Sequence, residues 1–349
     1  AKIQKNSTAL NGQIDISRAL DLMFSDPAFI DNRVASMLSR LSTEDTNPFE
    51  EVDDFQVSLL LALNTNLDIR DIFSKPFFIE KMSEQSQRIE PSSTKYHLGS
   101  NADSFHHYAA ELRLNFIPEI SLEDSSELRI SPGSYFGGLM STQGFAKRFI
   151  QDGTNRRAVR AAFDLFLCSK IETWKDASLD DFYIGKDVDR KPGDNPHKFF
   201  GDCRSCHAPM DSMRGAFAHI NFGNDQALFA AKIPSKFNQN SQVYSSGFNS
   251  IDDTWEILLT TKTHQARFGW RGPTVGNGLL SFSSAIANSK QFQRCMTQNV
   301  LSQFCDKNNN EVSEILKNHE FELLADSFRT DGYKLKTLIK RVVTSPICD

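Results

Sequence analysis

The 349-residue sequence contains no apolar run of the length that crosses a membrane. Its longest candidate, Val57-Ser58-Leu59-Leu60-Leu61-Ala62-Leu63, is too short and reads as a buried helix. Positive charge is not in excess. The formal net charge is −5, which argues against a nucleic-acid partner. No signal peptide stands at Ala1, and the polar start Ala1-Lys2-Ile3-Gln4-Lys5-Asn6 reads as a mature terminus left by cleavage. Tyr and Trp are scarce, at 6 and 3, whereas Phe reaches 28, so the aromatic content is mainly core material. Alternating apolar–polar strands are few, and there is no internal repeat. No Ser-His-Asp arrangement, phosphate loop or zinc-protease motif stands out, and His106-His107 is a lone pair. These absences favour a non-enzymatic, mainly α protein of about two domains.

Against that background one motif is prominent: Cys203-Arg204-Ser205-Cys206-His207, the C-x-x-C-H signature of covalent haem attachment. The two thiols suit thioethers to the haem vinyl groups, and the imidazole suits the proximal face of the iron. One helical turn brings all three side chains to the same porphyrin edge. A zinc site would need a second ligand pair, and the chain has no other C-x-x-C or H-x(3–5)-H. A redox dithiol would need a βαβ setting, which the neighbouring sequence does not suggest. In bacteria haem c is attached outside the cytoplasm, so the motif implies a periplasmic, cell-surface or extracellular location.

Four cysteines remain, Cys168, Cys295, Cys305 and Cys348, and an even remainder in an exported protein suggests two disulfides. Cys295 and Cys305 are expected on one helix, about 15 Å apart by helical rise. A disulfide needs Cα atoms within about 7 Å. Two further helices, 311–328 and 333–344, would return the chain and bring the end of the third helix beside the end of the first. That favours Cys305–Cys348 and leaves Cys168–Cys295.

Helical spacing covers Ile14–Leu22, Phe29–Leu41 and Asp53–Leu63, with Asn64–Asp68 as a turn. Residues 80–105 are polar and Ser-rich, and Glu119–Pro132 is an acidic, Ser-rich soft boundary. Thr154–Cys168 is a helix with Thr154 as its cap, and the motif sits on a helix at about 198–209. Gly223–Asp253 reads as loop around one short helix at Asp225–Ala231, and Phe268–Leu280 as a glycine-rich loop.

The motif continues as Cys203-x-x-Cys206-His207-x-x-Met210-Asp211-x-x-x-Gly215-Ala216-Phe217. This resembles the haem block of the planctomycete-type cytochrome-c-like proteins, large exported bacterial proteins of several linked domains. Gly153-Thr154-Asn155-Arg156-Arg157-Ala158-Val159 through Phe166-Leu167-Cys168 is similar to a second segment of theirs. Phe292-Gln293-Arg294-Cys295-Met296 and Leu335-Lys336-x-Leu338-Ile339-x-x-Val342-Val343-x-Ser345-Pro346 look like their C-terminal domain. The family's Pro after the Asp is Ser212 here, and one extra residue precedes the Gly. The resemblance implies an N-terminal helical domain (1–125), a haem-bearing cytochrome-c-like domain (126–280) and a C-terminal three-helix segment (281–349). It does not supply a reaction.

The second axial position of the iron separates electron transfer from ligand chemistry. Met210 and Met213 follow His207 on its own side and read as packing at the haem edge. The distal ligand of small cytochromes comes from a later loop, here Thr261–Leu280. His264 is the first distal candidate, Met296 the second and His219 the third. Trp270 and Arg271 are expected near the haem, with Arg271 and Lys262 as propionate partners. The acidic stretch 180–194 offers Asp187 and Asp189 as Ca²⁺ ligands, although it lacks the twelve-residue EF-hand pattern, and an acidic loop neutralised by Lys186 and Arg190 is the competing reading. The leading function is an electron relay to a redox partner in the envelope. The alternative is a haem-stabilised structural subunit of an envelope or surface assembly. Peroxidase or oxygenase chemistry ranks third, because no acid–base pair marks an open distal site.

Overall fold

The computed structural model describes residues 16–26, 29, 51–52, 54–81, 88–89, 96–97, 112–116, 138–224, 226–230 and 232–349. The expected helix Phe29–Leu41, the boundary Glu119–Pro132, His106-His107 and most of the loop at 80–105 lie largely outside these residues. The described chain is mainly helical, as expected. Its helices are α1 (Ile16–Met23), α2 (Asp54–Asn64), α3 (Asp71–Ser74), α4 (Gln143–Phe149), α5 (Arg156–Leu167), α6 (Ile171–Trp174), α7 (Arg204–Met213), α8 (Lys262–Phe268), α9 (Gly278–Asn288), α10 (Lys290–Phe304), α11 (Asn309–Ile315), α12 (His319–Thr330) and α13 (Leu335–Thr344). No helix among the described residues is long and apolar enough to cross a membrane.

The strands are short and antiparallel. β1 (Glu51–Val52) pairs with β4 (Tyr96–His97), and β2 (Phe77–Lys81) lies between β3 (Arg88–Ile89) and β5 (Leu112–Phe116) with Ile79 opposite Leu114. β6 (Ile220–Gly223) and β7 (Gln226–Phe229) form a hairpin. β8 (Thr254–Glu256) pairs with β9 (Val275–Asn277), with Trp255 opposite Gly276.

Residues of the three expected domains share one core. α2 is buried on all sides, from Asp54 through Leu63, with Asp54, Gln56 and Ser58 among its otherwise apolar buried residues. Phe73 meets Phe166 of α5 edge-on at 4.8 Å and Phe292 of α10 at 5.3 Å. Arg70 donates to Asp68 and Asn288, and its guanidinium lies 3.8 Å from the Tyr333 ring centroid. One contiguous cluster of buried apolar side chains thus runs from Phe24 to Ile347.

Both expected disulfides form: Cys168–Cys295 with Cα atoms 5.2 Å apart, and Cys305–Cys348 at 5.0 Å. Cys305 is the extended residue that ends α10 rather than part of it. The helix expected over 311–328 is two helices. Asn308 caps α11 in a reciprocal capping box with Glu311, and Asn318 caps α12 by accepting from the Glu320 N–H, so the second Asn restarts the helix.

Three local expectations are corrected. The segment expected as a helix at Asp225–Ala231 contains strand β7, because Asn224 at φ 51° turns the chain and Gln226–Phe229 pairs back onto β6. Thr154 does not cap α5. Asn155 holds that position in the left-handed region at φ 62°, and Thr154 accepts from Arg156 Nη1. The glycine-rich stretch Phe268–Leu280 contains β9 and the start of α9.

Candidate functional site

Asn195 starts the motif helix by accepting from the His197 N–H, with Pro196 in the first helical position. The chain then widens into a π-turn over Phe199–Cys203 before tightening into α7. Phe199 is buried beneath the Arg190 guanidinium, whereas Phe200, beside it, is half exposed. Cys203, Cys206 and His207 stand three and four residues apart, so they share one face of the turn. Both cysteines are free thiols of intermediate burial, and the His207 side chain is 27% exposed. Arg204 reaches sideways to the Leu179 carbonyl, which ties the segment before Phe182 to the motif. Phe182 is strongly exposed and clusters with Tyr183 and Phe248.

The underside of α7 is ionic. Asp211 is completely buried. It accepts from Arg156 Nε and Nη2 and, at 2.8 Å, from the Gly185 N–H. Arg156 also bonds both oxygens of Asp187, so one guanidinium bridges two carboxylates. Burial alone would raise the Asp211 pKa, but the hydrogen bonds and charge of Arg156 outweigh it and hold the carboxyl far below the usual carboxylate range. Arg214, 1% exposed, completes the cluster and donates to the Phe237 carbonyl at 2.9 Å. Position 185 must be glycine for this packing, since a Cβ there would stand 2.5 Å from Asp187 Oδ1 and 2.9 Å from Arg214 Nη2. Gly215 is more tightly constrained, because a Cβ would strike the Thr254 backbone carbonyl oxygen of β8 at 1.8 Å.

His207 faces this cluster. Its Nδ1 lies 3.6 Å from Asp211 Oδ1, an ion-pair distance but too long for a hydrogen bond. Nδ1 is buried without a hydrogen-bond partner.

The other expected site residues are dispersed. His264, in α8, is 10% exposed in its side chain and contacts Asp176 Oδ2 through Nε2 at 3.0 Å. The Asp176 N–H donates to the Ser205 carbonyl of the motif at 2.9 Å, so His264 sits one contact away from α7. Ligation through Nε2 would require release of Asp176. Trp270 is a core residue: its indole N–H donates to the Leu259 carbonyl, and it stacks on Phe268 at 4.9 Å. Arg271 turns to Gln293 of α10 and to Tyr333. Met296 is buried in α10, which packs on α5, α12 and α13. His219 holds the Ala230 carbonyl through Nδ1 at 2.8 Å. Met210 and Met213 are buried, consistent with packing roles. Asp187 is taken up by Arg156, Asp189 is engaged by the Lys191 N–H in an exposed turn, and no three-ligand metal group occurs among the described residues.

Arg156, Gly185 and Arg214 were not singled out for a role at the site. Arg156 and Asp211 are 55 residues apart in sequence, and only the fold brings them into contact. Comparison with protein-family models, curated sequences and solved structures finds no match.

The residues present fit a covalent haem. Two free, half-buried thiols and one imidazole share a helix face. The buried, partnerless Nδ1 beside a carboxylate favours the tautomer with its proton on Nδ1, which leaves the Nε2 lone pair for a metal.

Proposed function

We propose that this chain carries one haem c, attached at Cys203 and Cys206 with His207 as the proximal ligand, and relays single electrons. The observation that carries this reading is the division among six cysteines. Four are joined in disulfides, and the two of C-x-x-C-H are free on the face they share with His207. Cys203 and Cys206 would hold the group through thioethers, each S–H adding across one vinyl group so that nothing leaves. When bound, the group supplies one-electron iron chemistry.

The chain's own residues bind and orient. Cys203 and Cys206 fix the porphyrin edge, and His207 presents Nε2. Exposed Phe200 offers apolar surface three residues before the first attachment residue. His264 would be the candidate for a second ligand to the iron, and it would have to exchange its contact with Asp176. On this reading residues 126–280 hold a cytochrome-c-like domain within an exported protein, and the two disulfides suit an oxidising compartment. The partner is a redox protein of the envelope or surface.

The decisive measurement is a pyridine haemochrome assay on protein made in an export compartment with haem-attachment machinery. One covalent haem per chain is expected, and its absence overturns the reading. Slow carbon monoxide binding to the reduced protein is expected of a six-coordinate relay. Rapid binding would turn the assignment toward a structural haem. The shared core from Phe24 to Ile347 favours that second reading, because the haem helix is built into the scaffold. If C203A/C206A protein folds normally, the structural reading fails.

A further inference from the structure

The geometry points to Asp211 as the positioning residue of the proximal side: clamped by Arg156, it fixes the His207 tautomer and lowers the reduction potential of the iron that His207 holds. This rests on the haem reading above and adds what the underside of α7 does for it.

Asp211 is the carboxylate facing His207 Nδ1, at 3.6 Å, and the ring atom has no hydrogen-bond partner. A carboxylate free to rotate would not fix a tautomer. Here both oxygens are held, Oδ1 by Arg156 Nε and Oδ2 by Arg156 Nη2 and the Gly185 N–H. Arg156 is in turn fixed by both oxygens of Asp187 and by Thr154. The carboxylate therefore cannot follow the imidazole if the ring turns; the ring has to align with the carboxylate. A negative group at the far nitrogen increases the electron donation of a ligating imidazole, and that favours ferric over ferrous iron.

The cluster also supplies an internal control. Asp211, buried, and Asp187, part-buried, are both partners of Arg156, and Asp→Asn at either removes one negative charge. Of the two, Asp211 faces His207.

The test compares midpoint potentials of haem-loaded wild-type, D211N and D187N protein, with haem content checked by pyridine haemochrome and folding by circular dichroism. D211N is expected to shift the ferrous-to-ferric ratio about tenfold toward ferrous at a fixed poise, about 59 mV for one electron. D187N is expected to shift it by less than a third of that. Equal shifts, or none, overturn the inference while leaving the haem reading intact. Loss of haem from the wild type overturns the haem reading itself. If either variant fails to fold, proton NMR of oxidised wild-type protein with ¹⁵N-labelled histidine decides. A strongly shifted His207 Nδ1–H that exchanges slowly with solvent is expected. A deprotonated or rapidly exchanging Nδ1 overturns the assignment.

Discussion

Helices α7 and α10 both carry cysteines and both bury a broad face, by opposite means. α10 buries Phe292, Met296, Val300 and Leu301 against other helices. A disulfide holds it from within at Cys295, and another follows its last residue at Cys305. The motif leaves Cys203 and Cys206 free, and α7 buries Ser205, Asp211 and Ser212 beside Ala208, Met210 and Met213, with Arg156 and Arg214 folded beneath. Apolar burial stabilises without direction, at roughly 25 cal/mol per Å². Buried ion pairs contribute little net stability relative to an apolar core, but they fix atoms in place. The difference teaches that α10 belongs to the scaffold, whereas the underside of α7 is built for geometry at His207.

The comparison breaks most sharply at Arg156. R156A would leave buried Asp211 and part-buried Asp187 without their cation, and a loss of about 3–5 kcal/mol is expected in urea unfolding. The pH dependence has a definite sign. Both carboxyls are held below their ordinary values despite burial, so their stabilisation is present above about pH 4 and is lost as pH falls through the lowered folded values. Acid titration of wild-type protein should show this loss, and R156A should already lack it near neutrality. An R156A protein as stable as wild type would show the ionic underside to be dispensable.

Removing a disulfide tests the α10 side. Replacing Cys168 and Cys295 together by Ala is expected to cost about 2–5 kcal/mol, and replacing Cys305 and Cys348 somewhat less. The order follows from sequence separations of 127 and 43 residues. Denaturant midpoints of the two double variants check it, and a reversed order would mean that the reduced chains retain structure around one pair.

A smaller effect is expected from N308A, which removes the capping box of α11 and should cost about 1 kcal/mol. The smallest lies near the motif, at Tyr183. Its hydroxyl donates to Glu256 Oε2 at 2.6 Å, and that bond, helped by burial, pushes its pKa up to about 12. Because the folded value is raised, the contribution is present below about pH 10 and is lost as pH rises through about 12. Spectrophotometric titration should find one late phenol that disappears in Y183F.

Much of the helical content was legible because 3.6-residue periodicity is a local signal. Asp53–Leu63 is α2 shifted by one residue, and 333–344 contains α13. The disulfide partners were legible too, since helical rise excluded one pairing and an up–down–up path favoured another. Errors fell where a single polar residue outweighed the pattern: Asn318 split a helix, and Asn224 turned an expected helix into a hairpin. Of the candidate site, Cys203, Cys206 and His207 were readable because they are contiguous. The surroundings expected of Arg271 and Trp270 were not. Both were placed by nearness in sequence to His264, yet Arg271 is drawn to Gln293 and Trp270 to the core.

The sequence by itself determined that Cys203, Cys206 and His207 share one face, because three side chains within one helical turn need only a helix to converge. It also determined that four other cysteines remain to pair. Only the tertiary structure decided what lies behind His207. Asp211 is the residue four places on, but its orientation and charge state depend on Arg156 from α5, Asp187 and the Gly185 amide. Those groups are distant in sequence and meet only once the core has closed, because a buried carboxylate must find its cation wherever the fold brings one.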